Sequence, residues 1–381
     1  MKWHNLLLLT IILLNVSACA KFKKGNTLQE IPFFVGTSTN LPIEGIYAYT
    51  LNTSTGKCTF QSKTTNIINP SFLAIHPNNQ FLYALERAEG VAENQVRAYA
   101  INSDQSLRLL NQQSTKGSGA CYISVGKAGE NVLIAHYGSG SIVNLPIHTD
   151  GSIRGVRDII QHEGSSINQE RQKGPHTHYI KQGLGDLIYA ADLGIDKVML
   201  YQLKNGQLVA NQPTHLQASL GAGPRHLAHH PNRKFLYLMN EMGGSVSVFG
   251  YDNSTKTFAI QQTISSLPDG FDGFNKSADI HLHPSGKFLY ASNRGDHDSI
   301  AAFKVDTQTG QLSLIEIEQE TIVWPRNFAI SPDGKYLLCA NMRADSISIF
   351  TINQITGVLD FTGQQIAVPK PLCIQFLEGN F

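Results

Sequence analysis

A β-hairpin pattern that recurs about every 50 residues constrains this chain more than any other feature. Each copy has a short alternating strand, a bend at a proline or another turn-forming residue, and a second strand rich in Phe, Leu and Tyr. A polar turn and a third strand follow, as in Ser346–Ile352. The clear copies occupy residues 70–87, 223–241, 277–294 and 325–342, and looser copies occupy residues 120–137 and 175–192. Repeats of roughly 40–50 residues with four short strands each are typical of a β-propeller.

The two ends of the chain complete the count of repeats. Pro371–Phe376 looks like a further first strand, but the chain stops soon after it. Near the start, residues 32–38, 45–51 and 58–63 look like the strands that this last copy lacks. We therefore predict an all-β fold, a seven-bladed β-propeller over residues 31–381 whose ring is closed by N- and C-terminal strands in one blade, so that no sheet edge stays open. Two unrelated β domains would make the repeats a coincidence.

The first 19 residues have the pattern of an export signal. Lys2 precedes a nine-residue apolar stretch, residues 6–14. As a helix this stretch would span roughly 14 Å, about half of a bilayer core, which favours a signal peptide over a transmembrane span. Residues 16–19 resemble the lipobox of bacterial lipoproteins, which implies cleavage before Cys19 and lipidation of its sulfur. We expect a signal peptide at 1–18, a tether at 19–30 and an exported envelope lipoprotein, with ordinary signal cleavage as the alternative.

The charge balance and the remaining cysteines exclude several classes of protein. The chain has 30 Lys+Arg and 29 Asp+Glu, so it lacks the basic excess of a nucleic-acid binder. Its other cysteines form no C-x-x-C pair, which argues against a zinc or thioredoxin-type site. We expect no metal and no cofactor, and we expect these cysteines to act as small buried apolar residues, although an oxidising compartment would permit a disulfide. They are Cys58, Cys121, Cys339 and Cys373.

The propeller geometry brings distant polar residues to one mouth of the central channel. In each blade, the residue that opens the first strand and the residue that closes the second lie on the same rim. In the clear copies these positions are 16 residues apart, pairing Ser71 with Arg87, Arg225 with Glu241, Ala278 with Arg294, and Arg326 with Met342. In the histidine-bearing copy, Asp192 closes the second strand. The residues expected at this mouth are Arg87, His176, His178, Asp192, Arg225, Glu241, Arg294 and Arg326.

This cluster indicates an anionic ligand and proton transfer. Guanidinium groups match carboxylates and phosphates, and a histidine or glutamate can act as an acid or a base. Ion pairs on a wet rim with little energetic value are the alternative. His176 and His178 are two apart and face the same way on a regular strand. Structural roles are expected for His229, His230, His281 and His283, for Asn240, Asn293 and Asn341 as turn caps, and for Asp298 and Asp345 as ties between blade turns.

The motifs as a set resemble the seven-bladed lactonase family, which includes the propeller type of 6-phosphogluconolactonase and 3-carboxy-cis,cis-muconate lactonising enzymes. The matching stretches are RQKGPHTH at 171–178, AADLGIDKV at 190–198, GPRHLAHHP at 223–231, YLMNE at 237–241, YASNRGDHDSIAAF at 290–303 and PRNFAISPDGKYLLCAN at 325–341. The resemblance implies His176, Arg225, Glu241 and Arg294 as catalytic residues. His136 and Asp279 depart from the family pattern, which has Asn and commonly Glu at these positions.

The resulting hypothesis is hydrolysis of an anionic sugar lactone by a monomeric enzyme that needs no metal. Arg225 and Arg294 would hold the anionic group and stabilise the oxyanion, and either Glu241 or His176 would activate the water. Additional substrate contacts are expected from His178, Asp192, Arg87 and Arg326. A lactonising enzyme that interconverts a muconate and its lactone, and a non-enzymatic binding propeller of the cell envelope, are the two alternatives. The membrane would be contacted through the lipid anchor only.

Overall fold

The computed structural model describes residues 30–377, except for residues 89, 185, 253 and 256. These residues form 28 strands in seven four-stranded antiparallel sheets, which confirms the predicted all-β seven-bladed propeller. Within the described ranges there is no helix long and apolar enough to cross a membrane. Residues 1–29, which include the predicted signal peptide and Cys19, lie outside the described part of the chain.

Blade 1 combines both ends of the chain, and blades 2 to 7 follow in sequence order. Blade 1 contains β1 Glu30–Thr37, β2 Ile46–Asn52, β3 Cys58–Thr64 and β28 Pro371–Phe376. Blade 2 contains β4 Leu73–Ile75, β5 Phe81–Glu86, β6 Gln95–Ile101 and β7 Leu107–Ser114; blade 3 contains β8 Ala120–Val125, β9 Asn131–His136, β10 Ser141–Pro146 and β11 Asp158–Gln161. Blade 4 contains β12 Thr177–Gln182, β13 Leu187–Asp192, β14 Lys197–Lys204 and β15 Gln207–Gln217; blade 5 contains β16 Pro224–His229, β17 Phe235–Asn240, β18 Ser245–Asp252 and β19 Thr257–Ser265. Blade 6 contains β20 Ile280–Leu282, β21 Phe288–Asn293, β22 Ser299–Val305 and β23 Leu312–Glu318; blade 7 contains β24 Pro325–Ile330, β25 Tyr336–Asn341, β26 Ser346–Ile352 and β27 Leu359–Ala367.

Burial along each blade follows the distance of the strand from the channel. The second strands are buried along most of their length, and β25, which contains Leu, Tyr and Ala, is buried at every residue. The outermost strands, such as β27, alternate between exposed and partly buried residues, as expected when only one face packs against a neighbour. Apolar side chains of adjacent blades meet between the sheets, for example Tyr290 of blade 6 with Leu337 of blade 7. The hydrophobic core is therefore a set of layers between blades, and the channel is lined by the first strands.

The ring closes through pairing of β28 with β1. Phe33 is opposite Phe376 in this pairing, and their ring centroids are 5.3 Å apart. Phe33 also stacks on Tyr49 of β2 at 5.5 Å. The last strand thus occupies the innermost position of the sheet that the N-terminal strands begin, which confirms the predicted closure.

Repeated polar contacts tie the blades together at both ends of the channel. His230 and His283 bond the carbonyl oxygens of Gly286 and Gly334 in the following blades, at 3.1 and 2.8 Å, in keeping with the structural roles predicted for both. The Gly334 backbone has φ +74°, and a Cβ there would lie 2.5 Å from the His283 ring nitrogen, so the contact requires glycine. At the other end, Asp298 accepts a bond from the amide of Trp324 in the next blade, as expected for the DSI segments.

The four cysteines of the described residues, Cys58, Cys121, Cys339 and Cys373, are all free thiols. Cys121, Cys339 and Cys373 are buried, which agrees with the apolar role expected for them. Burial raises the pKa of the Cys121 thiol to about 11, so it is protonated and unreactive near neutral pH.

Candidate active site

A cavity of about 550 Å³ opens at the predicted mouth of the channel. Its wall is built from loops and strand ends of successive blades. The side chains that line it are Ser38, Arg87, Cys121, Tyr137, Arg171, His178, Glu241, Lys276, Arg294, Trp324, Arg326, Met342 and Leu372, together with Gly119 and Gly138. A narrow inner extension continues toward the channel centre and adds Ser71, Phe72, Arg225 and His226 to the lining.

A β-bulge in the first strand aims one side chain of a blade into this cavity. In blade 4, Thr177 pairs with Asp192 and Tyr179 pairs with Ala191, so His178 is the extra residue. The same shift makes Arg225 the extra residue of blade 5 and Arg326 that of blade 7. Bulges re-aim side chains in this way next to active sites. We call the seven residues at this register the inner ring: Ser71, Cys121, His178, Arg225, Ala278, Arg326 and Leu372.

A second set of residues, just after the end of each second strand, surrounds the inner ring on the solvent side. We call this set the outer ring: Ser38, Arg87, Tyr137, Leu193, Glu241, Arg294 and Met342. Six of these residues line the cavity, and Leu193 does not. The 16-residue spacing therefore located Arg87, Glu241, Arg294 and Arg326 correctly at one mouth.

Positive charge dominates the cavity. Six cationic side chains line it or its inner extension, and among the described residues of this wall Glu241 is the only carboxylate. The cations are Arg87, Arg171, Arg225, Lys276, Arg294 and Arg326. Because the whole chain has a net charge of only +1, this is a local concentration of charge and not a general property of the surface.

Glu241 holds three of these arginines. Its Oε1 accepts from Arg171 Nη2 at 2.8 Å, and its Oε2 accepts from Arg225 Nε at 2.9 Å. Arg294 Nη2 lies 3.5 Å from the same Oε2. Burial acts to raise the pKa of Glu241, but the charges of these arginines outweigh it and lower the pKa to about 2. Because both of its oxygens are engaged by these arginines, the geometry favours an anchoring role for Glu241.

The cationic side chains of the cavity carry more positive charge than Glu241 neutralises. Burial, together with the charge of Arg326, lowers the pKa of Arg225 to about 10. Burial and the neighbouring Arg225 likewise hold the pKa of Arg294 well below its usual value. Desolvated cations that repel one another are stabilised by an incoming anion. A cavity with this excess of positive charge can bind a negatively charged ligand.

His178 is the histidine that faces the cavity. It is buried in the inner ring, and its Nδ1 has no hydrogen-bond partner among the described residues. Burial, then the charges of Arg225, His226 and Arg326, hold its pKa well below 6.5, so the imidazole is neutral at pH 7. A neutral imidazole with an unoccupied nitrogen can accept a proton.

The alternation of a regular strand predicted that His176 faces the cavity together with His178, but the structure places its side chain elsewhere. Its ring stacks on Tyr137 at 4.5 Å, and one ring nitrogen bonds the Tyr137 carbonyl oxygen at 2.8 Å. It does not line the cavity wall. The bulge at His178 breaks the strict alternation of β12, and for this reason the two histidines do not face the same way.

Asp192, predicted to bind substrate, does not reach the cavity. It pairs with Thr177 as Asn240 pairs with Pro224, so it occupies the capping position of its blade, and Leu193 takes the outer-ring position. Its Oδ2 accepts from Thr177 Oγ1 and His162 Nδ1 at 3.0 and 2.8 Å. Its Oδ1 accepts the His176 amide at 2.7 Å. The turn of this copy is one residue shorter than in the clear copies. The outer-ring position therefore falls on Leu193 and not on Asp192.

The residues that follow the inner ring close the channel below the cavity. We call them the plug ring: Phe72, Tyr122, Tyr179, His226, Asp279, Asn327 and Cys373. The aromatic members pack in sequence, with 4.5 Å between the rings of Phe72 and Tyr122 and 4.6 Å between those of Tyr122 and Tyr179. His226 Nδ1 bonds Asp279 at 2.7 Å, and its Nε2 faces Arg225 Nη1 at 3.2 Å. If Asp279 accepts the Nδ1 proton, Nε2 accepts from Arg225 and so orients that guanidinium.

Sequence reasoning missed Arg171, Lys276 and Trp324 as cavity residues. All three lie in loops ahead of first strands, outside the register of the repeat. Arg171 was part of the stretch RQKGPHTH, and Lys276 and Trp324 each stand two residues before an inner-ring position, as His176 does. This position, two residues before the inner ring, is the one sequence signal that could have identified Lys276 and Trp324 as cavity residues.

A family model described as "Lactonase, 7-bladed beta-propeller" matches residues 32–376. The chain belongs to the seven-bladed β-propeller lactonase family. Its membership confirms the resemblance on which the sequence prediction of a lactonase rested. Among the described residues of this lactonase-family protein, no three His, Cys, Asp or Glu side chains are grouped as a metal site would require.

Named relatives share nearly the whole propeller. A Bacillus subtilis 6-phosphogluconolactonase is 35% identical over 347 residues, covering 91% of this chain and 98% of the relative. A Formosa agariphila 6-phosphogluconolactonase is 34% identical, covering 88% and 96%. The solved structure of a Pseudomonas aeruginosa periplasmic gluconolactonase is 29% identical, with a TM-score of 0.86 and coverage of 92% and 99%.

Replacing Glu241 with Gln tests its role as the anchor of the arginines. Removing one partner of a buried ion pair costs about 3–5 kcal/mol, because the remaining charges are uncompensated. We expect a lower Tm for E241Q in chloride buffer and a larger gain in Tm on adding sulfate than the wild type shows. Thermal unfolding followed by circular dichroism measures both. Glu93→Gln, which breaks the exposed pair with Lys116, serves as the control. An E241Q protein with wild-type Tm and no added response to sulfate would contradict the anchoring role.

Proposed function

We propose that this protein hydrolyses a sugar lactone that carries negative charge, and that the reaction takes place in the cavity of the inner and outer rings. The observation that carries the proposal is the excess of buried arginine around one neutral histidine. Relatives named 6-phosphogluconolactonase and gluconolactonase support a lactone of the gluconate type as the substrate class.

His178 is the base in this proposal. It takes a proton from a water molecule as the water oxygen adds to the lactone carbonyl carbon. The ring oxygen then leaves as the carbon–oxygen bond breaks and acquires a proton, so that one water and one lactone give one hydroxy acid. General-base assistance of this kind contributes about 10²- to 10⁴-fold in rate. His176 supports the strand that carries His178 and holds Tyr137 in the wall.

Arg225 and Arg294 stabilise the negative charge that develops on the carbonyl oxygen. Both are nearly fully buried, where a fixed cation acts through a low dielectric and needs no reorganisation. Glu241 fixes their positions, and the His226–Asp279 pair orients Arg225 from the plug ring. Arg87 and Arg326 complete the cationic wall. The carboxylate of the hydroxy acid product is also negatively charged and can bind the same arginines.

The pKa of His178 sets the pH range of the reaction. Because burial and the neighbouring cations hold this pKa well below 6.5, the base stays deprotonated down to mildly acidic pH. The rate constant kcat/KM therefore falls only as pH drops below 6.5. A binding anion offsets the arginine charges and raises the pKa of His178 in the complex, which makes it a stronger base there.

We further propose that the protein works outside the cytoplasm. The apolar stretch at 6–14 and Cys19 support export and lipid anchoring, and the Pseudomonas aeruginosa relative is named as periplasmic. Cell fractionation tests the anchor: wild-type protein should be in the membrane fraction, and Cys19→Ala protein should move to the soluble fraction. Equal distribution of the two proteins would contradict lipidation.

The assay uses the purified protein with gluconolactone and its 6-phosphate, corrected for spontaneous ring opening. We expect turnover by the wild type and a loss of about 10²-fold or more in kcat for His178→Gln. His176→Gln is the matched control, and it should lose much less because that ring does not line the cavity. The wild-type kcat/KM should reach half its maximum below pH 6.5. No turnover of either lactone, or an H178Q protein as active as H176Q, would overturn the proposal.

A further inference from the structure

We propose that the inner extension of the cavity holds the water molecule that attacks the lactone, and that Ser71 fixes this water beside His178. The inference rests on the proposed lactone hydrolysis. It adds to that reaction the place of the nucleophile, a further residue that touches it, and the side of the lactone ring that the water reaches.

The inner extension lies at the level of the inner ring, in the middle of the propeller. Six of the seven inner-ring residues line it, all except Ala278, and Phe72 and His226 of the plug ring close it from below. Its volume is about 10 Å³, against about 550 Å³ for the cavity above it. A space of about 10–15 Å³ by this measure is the least that one water molecule needs. The extension therefore admits a single water and excludes a sugar ring.

Two buried polar atoms of the residues around this space lack hydrogen-bond partners. They are Oγ of Ser71 and Nδ1 of His178, and neither finds a donor or an acceptor within the part of the chain that the structure describes. Both residues are 3% exposed. An unpaired buried polar atom destabilises a fold, so its presence indicates a bound water or a catalytic role. One water in the extension can bond both atoms.

Ser124 shows what a buried serine of a first strand does elsewhere in this protein. Its Oγ donates to the carbonyl oxygen of Ile180 in the next blade at 2.7 Å. Ser71 makes no comparable bond to the described residues, so its hydroxyl does not join blades. The hydroxyl of Ser71 is instead available to a molecule in the extension.

Three arginines, Arg87, Arg225 and Arg326, line the same space. Their positive charge favours hydroxide over water and so lowers the pKa of a water bound there. Burial, then the charges of Arg225, His226 and Arg326, also hold the pKa of His178 well below 6.5. Because the arginines lower the pKa of the water and of the imidazole together, proton transfer between the two groups remains feasible.

The bound water would donate one hydrogen to His178 Nδ1 and the other to Ser71 Oγ, which leaves a lone pair directed at the wide cavity. Its oxygen forms the new bond to the lactone carbonyl carbon while the first hydrogen passes as a proton to His178. The carbonyl π electrons move to the carbonyl oxygen, whose negative charge Arg225 and Arg294 stabilise. When this oxyanion collapses, the bond to the ring oxygen breaks, and the ring oxygen takes the proton from His178. The water thus attacks the side of the lactone that faces the plug ring.

The first experiment compares Ser71→Ala with the wild type in lactone hydrolysis and in thermal unfolding. We expect kcat to fall about 10-fold, the equivalent of one hydrogen bond, with KM unchanged because the hydroxyl touches the water and not the lactone. The Tm should stay the same or rise, because the hydroxyl that is removed has no protein partner. Ser124→Ala is the matched control: it loses a bond between blades beyond the plug ring, so it should lower the Tm and keep the wild-type kcat.

The double variant S71A/H178Q separates the holding of a water from a structural role. If Ser71 acts through the water that His178 deprotonates, S71A should cost no more than about 2-fold in kcat once His178 is Gln. A crystal structure of the wild type should also show an ordered water within about 2.7–3.2 Å of Ser71 Oγ and His178 Nδ1.

Three results would overturn the inference and leave the proposed hydrolysis standing. They are a wild-type kcat in S71A, losses of S71A and H178Q that multiply in the double variant, and a wild-type crystal structure with no water bonded to these two atoms. If the wild type turns over neither gluconolactone nor its 6-phosphate, the proposed hydrolysis fails and this inference fails with it.

Discussion

The buried carboxylate of Glu241, shared among Arg171, Arg225 and Arg294, is the interaction on which the cavity depends. These arginines come from the loop before blade 4 and from blades 5 and 6, so one side chain couples three parts of the ring. Without it, desolvated guanidinium groups would face one another with no countercharge. With it, their directions are fixed while most of their charge stays uncompensated. The protein therefore holds a preorganised cationic surface, and in our proposal an anionic substrate supplies the missing countercharge.

The β-propeller makes this arrangement possible because it repeats one backbone feature around an axis. The bulge in the first strands turns His178, Arg225 and Arg326 toward the channel, although they are separated by 148 residues of chain at most. The plug ring below them closes the channel with packed aromatic groups. The plug ring thereby separates the cavity from the other end of the channel, and the blades can vary the residue at each ring position without altering the fold.

The fold and much of the site could be predicted from the sequence because both repeat. The strand periodicity predicted the blades, and the 16-residue spacing predicted that Arg87, Glu241, Arg294 and Arg326 lie at one mouth. The choice between His176 and His178 could not be made this way, since alternation assumes a regular strand and the bulge breaks it. Asp192 was displaced by one residue because its turn is shorter. Lys276 and Trp324 belong to loops, whose paths are set by contacts between blades and not by any local period.

A crystal structure with 6-phosphogluconate, the hydroxy acid that the reaction would release, tests the central claim most directly. The account predicts the carboxylate within about 2.7–3.2 Å of Arg225 or Arg294 and next to His178, inside the cavity of the inner and outer rings. A ligand bound at the opposite mouth of the channel, or one seated in the cavity with its anionic groups away from the arginines, would contradict it.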